Sequence, residues 1–140
     1  MTKMIVGWKE EAKLSELNIA PIKVKVDTGA KTSSLHAFDI KAYEKEGVTY
    51  VKFKTSPYKR HPKKIVECNS EVIDYRKIKS SNGQTQLRYV IRSPITIGNR
   101  TWDIDITLAD RKKMRYKMLL GREAMRDITV SPHESYIQSD

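Results

Sequence analysis

Apolar and polar residues alternate along much of this chain in the manner of strands. Ile22-Lys23-Val24-Lys25-Val26 repeats with period two, the spacing of a strand with one buried face. A short apolar run at Met4 to Trp8 precedes it. Alternating or β-rich runs follow at Leu35 to Tyr43, Val48 to Lys54, Val72 to Lys79, Gln86 to Arg92, Ile95 to Ile97 and Thr101 to Leu108. Ser81-Asn82-Gly83-Gln84 and Gly98-Asn99 supply the Asn and Gly that tight hairpin turns require. The stretch Ser56 to Lys64, with Pro57, Pro62 and five basic residues counting His61, reads as a loop. Only Gly121 to Asp127 reads as helix, and it is short. The pattern predicts an all-β protein.

Length adds that one domain suffices: 140 residues can bury a core without disulfide staples. No repeat, low-complexity tract or linker divides the chain, so residues 1–140 are expected to form a single domain. No apolar run is long enough to cross a bilayer or to serve as a secretory signal, and the single cysteine, Cys68, cannot make an intrachain disulfide. A cytoplasmic, membrane-free protein is therefore expected. Charge narrows the partners. Lys plus Arg number 27 against 17 Asp plus Glu, a net charge of +10 that concentrates nucleic acid, anionic lipid or acidic polypeptide.

The residues with chemical promise follow the Ile22 to Val26 strand. Asp27 stands at its end, before Thr28 and Gly29, so a sheet delivers a carboxylate onto a turn where glycine lets backbone amides come close. By itself Asp-Thr-Gly is equally the composition of an ordinary turn. Its neighbours are more specific. Lys25-Val26-Asp27-Thr28-Gly29-Ala30-Lys31-Thr32-Ser33-Ser34-Leu35-His36-Ala37, together with Met118-Leu119-Leu120-Gly121-Arg122-Glu123-Ala124-Met125, resembles the retropepsin-like family often labelled ATP-dependent zinc proteases. Members often accompany an ATP-grasp glutamate ligase that modifies a ribosomal protein. The resemblance extends to Gly7-Trp8 and to Trp102 through Leu108.

That resemblance implies a closed, acid-protease-like barrel ending in one short helix, with Leu119-Leu120-Gly121-Arg122 closing the fold. It implies Asp27, Thr28 and Gly29 as the catalytic loop, Ala30 as a small residue beside substrate, and the hairpin around Ser80 to Gln84, with Ser81, Asn82 and Gly83, as a flap over the site. It also implies a homodimer, because aspartic proteolysis needs two carboxylates and this chain carries one Asp-Thr-Gly. A twofold axis would bring two Asp27 side chains together, sharing one proton. The implied activity is aspartic endopeptidase, with an acidic or glutamate-modified segment, such as a ribosomal protein's, as substrate and a functional link to the ligase.

Two departures from the viral pattern stand out. Four residues after the aspartate, viral enzymes carry an acid that pairs with the arginine of Gly-Arg, whereas this chain has Lys31, so Arg122 must find another partner or point elsewhere. Period two also projects Lys23 and Lys25 to the same side as Asp27. With Lys31 they are candidate substrate-binding cations, and they favour ionised carboxylates and an acid-leaning pH optimum.

No cofactor is called for by the sequence. Glycine-rich phosphate cradles are absent, so any ATP link belongs to a partner. His36, His61 and His133 lack the spacing of a zinc hydrolase, leaving His36 as the best single candidate for a ligand in a zinc-peptidase alternative. A second alternative is a non-catalytic basic β domain that docks on RNA or the ribosome. Its support is two basic clusters, Lys59-Arg60 with Lys63-Lys64, and Arg111, Lys112, Lys113, Arg115 and Lys117.

Overall fold

The computed structural model describes residues 3–79 and 83–138. The strands are β1 (Met4–Gly7), β2 (Lys9–Leu14), β3 (Ile19–Val26), β4 (Ser33–His36), β5 (Phe38–Lys45), β6 (Val48–Thr55), β7 (Val66–Lys79), β8 (Thr85–Ile97), β9 (Arg100–Ala109), β10 (Met118–Leu120) and β11 (Ile128–Ser131). In space β2, β3, β10, β4, β9 and β8 follow one another, and β8 returns to β2 through Lys13 opposite Thr96. The result is a closed six-stranded barrel. Antiparallel strands β7, β6 and β5 extend the sheet beyond β8, while β1 and β11 form a separate parallel pair.

Alternation explains the barrel wall. In β3, Ile22, Val24 and Val26 are buried while Lys23 and Lys25 are exposed. Leu35 of β4, Ile91, Ile95 and Ile97 of β8, Ile104, Ile106 and Leu108 of β9, and Met118 and Leu120 of β10 meet them in one core. Each such side chain contributes about 1.5–3 kcal/mol when fully buried, enough to fix register wherever one face is wet.

Several elements differ from the sequence expectation. The Gly121 to Asp127 segment is helical only over the 3-10 turn Arg122–Ala124: its first amides, Arg122 and Glu123, which no helix could pair internally, donate to the Ala30 and Lys31 carbonyls, and Asp127 ends it by turning left-handed at φ 59° before β11. The Leu35 to Tyr43 run splits into β4 and β5, with Asp39 at φ 50°. Gln86 to Arg92 and Ile95 to Ile97 are one strand, β8, in which Pro94 pairs opposite Asp103. Strands β2, β10 and β11 and the 3-10 turn Ser15–Leu17 had no separate expectation.

In β2 the apolar pattern hides a buried acid. The Glu10 carboxylate accepts from the Gly7 amide at 2.7 Å and from the Ile137 and Gln138 amides at 2.9 and 3.1 Å, pinning residues 137–138 beside the start of the barrel. Among the described residues no helix is long and apolar enough to cross a membrane.

Candidate active site

Asp27 sits where three strands converge. β10 runs parallel to β3 and antiparallel to β4, so three residues, Met118 to Leu120, fill the space between the two arms of the loop that carries Asp27. The Asp27 amide donates to the Leu120 carbonyl at 2.9 Å, and the Ala30 amide donates to the Asp27 carbonyl at 3.2 Å. The side chain is held as well: the Gly29 amide donates to Asp27 Oδ1 at 2.9 Å. A Cβ on Gly29 would stand 3.2 Å from that oxygen, so glycine keeps the carboxylate uncrowded.

The closing segment grips the loop from the other side. Gly121 crosses the main chain of Thr32, its amide donating to Ser33 Oγ at 3.0 Å. Beyond it the Arg122 and Glu123 amides reach the Ala30 and Lys31 carbonyls at 2.8 and 3.1 Å. Lacking an acid at position 31, Arg122 donates through Nη1 to the Thr28 carbonyl at 3.0 Å, a charge-assisted bond that braces the Asp-Thr-Gly turn. Trp102 of β9 fixes the turn in place by donating to the Ala124 carbonyl at 3.0 Å. Asp27 is half-buried, and Thr28 and Gly29 are exposed. The carboxylate is thus both fixed and reachable.

The remaining candidates fall in several places. Ala30 is half-buried beside Asp27. Lys31 is exposed and lies 3.8 Å from Glu123, a surface pair of small energetic worth. Lys25 is exposed, in register with Lys9 and Leu119. Lys23 lines a different depression, with Tyr58, His61 and Tyr116. Ser81 and Asn82 lie outside the described residues, and Gly83 has the positive φ of 84° expected of a hairpin turn.

His36 is buried, and its Nδ1 accepts from the Arg111 amide at 2.9 Å, so the ring holds a main-chain corner. Burial and the nearby Lys117 lower its pKa, with Asp110 opposing. Among the described residues no three His, Cys, Asp or Glu side chains gather as metal ligands would. The Cys68 thiol is pushed up to about 11 by burial, which keeps it protonated near neutrality.

Beside Asp27 lies a groove of about 510 Å³ between Ala30 to Thr32 and Lys77 to Lys79. Arg88 of β8 and Arg111, just past β9, line it with Lys31, Lys77 and Lys79, and no carboxylate is among the described residues of its wall. Sequence reasoning missed Arg88 altogether and assigned Arg111 to a basic run. Alternation within Gln86 to Arg92 marks one face of a strand but cannot say that this face meets the Asp27 loop.

The family model for the RimB-like family, described as retropepsin-like aspartic endopeptidase RimB, matches residues 5–140. The chain belongs to that family. Membership agrees with the closed barrel. A crystal structure of a Legionella pneumophila protein of unknown function resembles this retropepsin-like chain with a TM-score of 0.83 at 31% identity, covering 97% of this chain and 98% of that one. Among curated relatives, a probable alpha-L-glutamate ligase of Shewanella pealeana is 45% identical over 135 residues, which are 96% of this chain and 30% of that protein. Another of that name, from Parasynechococcus marenigrum, is 38% identical over 139 residues, again 30% of its length. This RimB-like chain therefore spans under a third of these ligase-named relatives.

Proposed function

We propose that the protein is an aspartic endopeptidase whose active site forms between two copies, each contributing Asp27, and that it cuts acidic or glutamate-modified protein segments in the cytoplasm. One observation carries the reading. A single half-buried carboxylate is fixed by the Gly29 amide on a turn that the closing Gly121-Arg122 segment braces from behind. Such bracing suits a group that must hold its geometry while its proton moves.

Two Asp27 carboxylates on a twofold axis cannot both ionise at close range, so they share one proton. The ionised member takes a proton from the attacking water, and the protonated member donates to the oxygen of the scissile amide. Thr28 and Gly29 hold the pair, and Ala30 leaves room for substrate backbone. The acidic substrate is supported by the +10 charge and by the cationic groove beside Asp27. The ligase-named relatives support a partner that adds glutamate, whose product this enzyme would process.

Asp27→Asn tests the reading. Its fold should be retained by circular dichroism while turnover of a glutamate-rich peptide falls by roughly a thousandfold or more, since an amide cannot share the dyad proton. Excess Asp27→Asn subunits should also depress wild-type activity by forming mixed dimers. Turnover that survives in the variant, or that is lost to a chelator and restored by zinc, would replace this mechanism with a metal-dependent one.

A further inference from the structure

The groove beside Asp27 holds polar groups that the fold does not satisfy. Ser34 Oγ and Arg88 Nε are both buried, and neither has a hydrogen-bond partner among the described residues. Both line the groove, Ser34 from β4 and Arg88 from β8. Arg88 spends one bond on Gln86 Oε1 at 3.2 Å, and Arg111 spends its Nε on the Tyr116 carbonyl at 3.1 Å. Neither guanidinium forms an ion pair among the described residues, in contrast to Arg76 and Arg92.

Burial lowers the pKa of both arginines, Arg88 further lowers that of Arg111, and Asp27 partly offsets the effect on Arg111. Two like charges held together, partly out of water, with a buried donor unused, cost free energy unless an anion completes the set. A guanidinium offers parallel N–H donors that match a carboxylate, and a neighbouring hydroxyl can add a third.

We propose that Ser34, Arg88 and Arg111 form a carboxylate-recognition subsite in the substrate groove, which selects acidic peptides by a buried interaction distinct from the general surface charge. For its part in cleavage, though not in binding, this rests on Asp27 as the reacting acid. Lys77 and Lys79, at the wall formed by the end of β7, attract the peptide, while Ser34 and the two arginines read it. The carboxylate comes from a glutamate side chain or from the peptide's C-terminus.

The test measures fluorescence anisotropy of labelled tetra-glutamate and tetra-glutamine peptides, each as free acid and as C-terminal amide, on full-length protein carrying Asp27→Asn so that nothing is cut. Arg88→Met and Arg111→Met should each weaken tetra-glutamate binding by roughly ten- to a hundredfold and bring the Glu-to-Gln ratio towards one. Ser34→Ala should cause a smaller loss. The Glu preference should persist at about 0.5 M salt, where exposed charges are screened, while the contribution of Lys77, read from Lys77→Ala, should fade. Thermal unfolding checks each variant's fold, and Arg88→Lys should restore attraction at low salt without restoring the preference.

Preference that follows the amide cap and ignores Gln places the recognised carboxylate at the chain end; preference that follows Gln places it on the side chain. Equal binding of all four peptides at high salt, or an unchanged Glu-to-Gln ratio in both arginine variants, overturns the subsite. Because binding is read without catalysis, failure of Asp27 as the reacting acid would leave this result standing. Failure of the subsite would likewise leave the Asp27 test intact.

Discussion

Replacing Gly121 with alanine separates the role of the closing segment from that of the loop it supports. Gly121 has φ −92° and ψ 174°, ordinary extended values for alanine, so any effect must come from space and not from backbone preference. A Cβ there would stand 2.5 Å from the Thr32 carbonyl carbon, 2.6 Å from its oxygen and 2.9 Å from its nitrogen, all main-chain atoms that cannot rotate aside. Ordinary contact begins near 3.4 Å, so the two segments must part by about 0.9 Å (3.4 − 2.5).

Taken up along the neighbouring Arg122 to Ala30 bond, that displacement carries 2.8 Å to about 3.7 Å, beyond useful hydrogen-bond length. Overpacking costs about 1–3 kcal/mol and the lost bond about 1 kcal/mol more. For a chain of this size the melting temperature should fall by roughly 8–15 °C. Because the shifted atoms carry Asp27, kcat for a glutamate-rich peptide should fall about a hundredfold even where the protein remains folded. Gly47→Ala is the comparison: it sits in open space at φ 78°, so it should cost about 1 kcal/mol in stability and leave kcat alone. A Gly121→Ala protein with wild-type melting and turnover would refute the claim that this contact holds the active loop.

Two further outcomes follow from buried titratable groups. His36 has a folded pKa below its ordinary 6.5, so between the two values the unfolded chain binds more protons. Its contribution to stability is therefore full above about pH 6.5 and lost as pH falls through the folded value. His36→Asn, whose oxygen can still accept from the Arg111 amide, should flatten that decline in urea midpoints measured across the acid range; an unaltered decline would show that other groups set it. Glu10→Ala removes the acceptor of the Gly7, Ile137 and Gln138 amides and should cost about 2–4 kcal/mol. Hydrogen exchange should then lose protection first at Ile137 and Gln138, and retained protection there would mean that other contacts hold the C-terminal segment.

Much of the wall was legible because burial on one face writes itself as period two. Ile22, Val24 and Val26 against Lys23 and Lys25 is the plain case. β10 escaped because three residues are too few to show a period, and its place between β3 and β4 is a long-range pairing of positions 118–120 with 24–26 and 34–35. β2 escaped because its inward positions include Glu10, which local polarity assigns to the surface although three main-chain amides hold it inside. The expected helix is present but cut to the 3-10 turn Arg122–Ala124, because Asp127 turns left-handed and Ile128 joins β11 beside β1, a long-range pairing that residues 121–127 do not announce. For the candidate site, Asp27 and Arg122 were readable through motif, whereas the Thr28 carbonyl as Arg122's partner follows only from how the closing segment meets the loop. Ser34, Arg88 and Arg111 are separated by dozens of residues and lie on different strands or beyond them, so only the closure of the barrel brings them to one groove.

The chain's positive charge then divides into two populations with different physical roles. Lys23, Lys25 and Lys31 are exposed and keep their hydration, so they act over distances that salt screens within about 10 Å at 0.1 M. Such charges raise the encounter rate with any polyanion, nucleic acid included, and by themselves discriminate poorly between carboxylate and phosphate. Arg88 and Arg111 have already lost part of their hydration to the fold, so an anion that reaches them meets less competing water. Their remaining N–H donors point in fixed directions, and the Ser34 hydroxyl in the same groove narrows the geometry further. Surface lysines alone would favour a general basic docking domain. A half-buried arginine pair with Arg88 Nε and Ser34 Oγ unused, next to a fixed carboxylate, is what supports the proposed enzyme, one that first attracts acidic chains and then selects which of their carboxylates enters the groove.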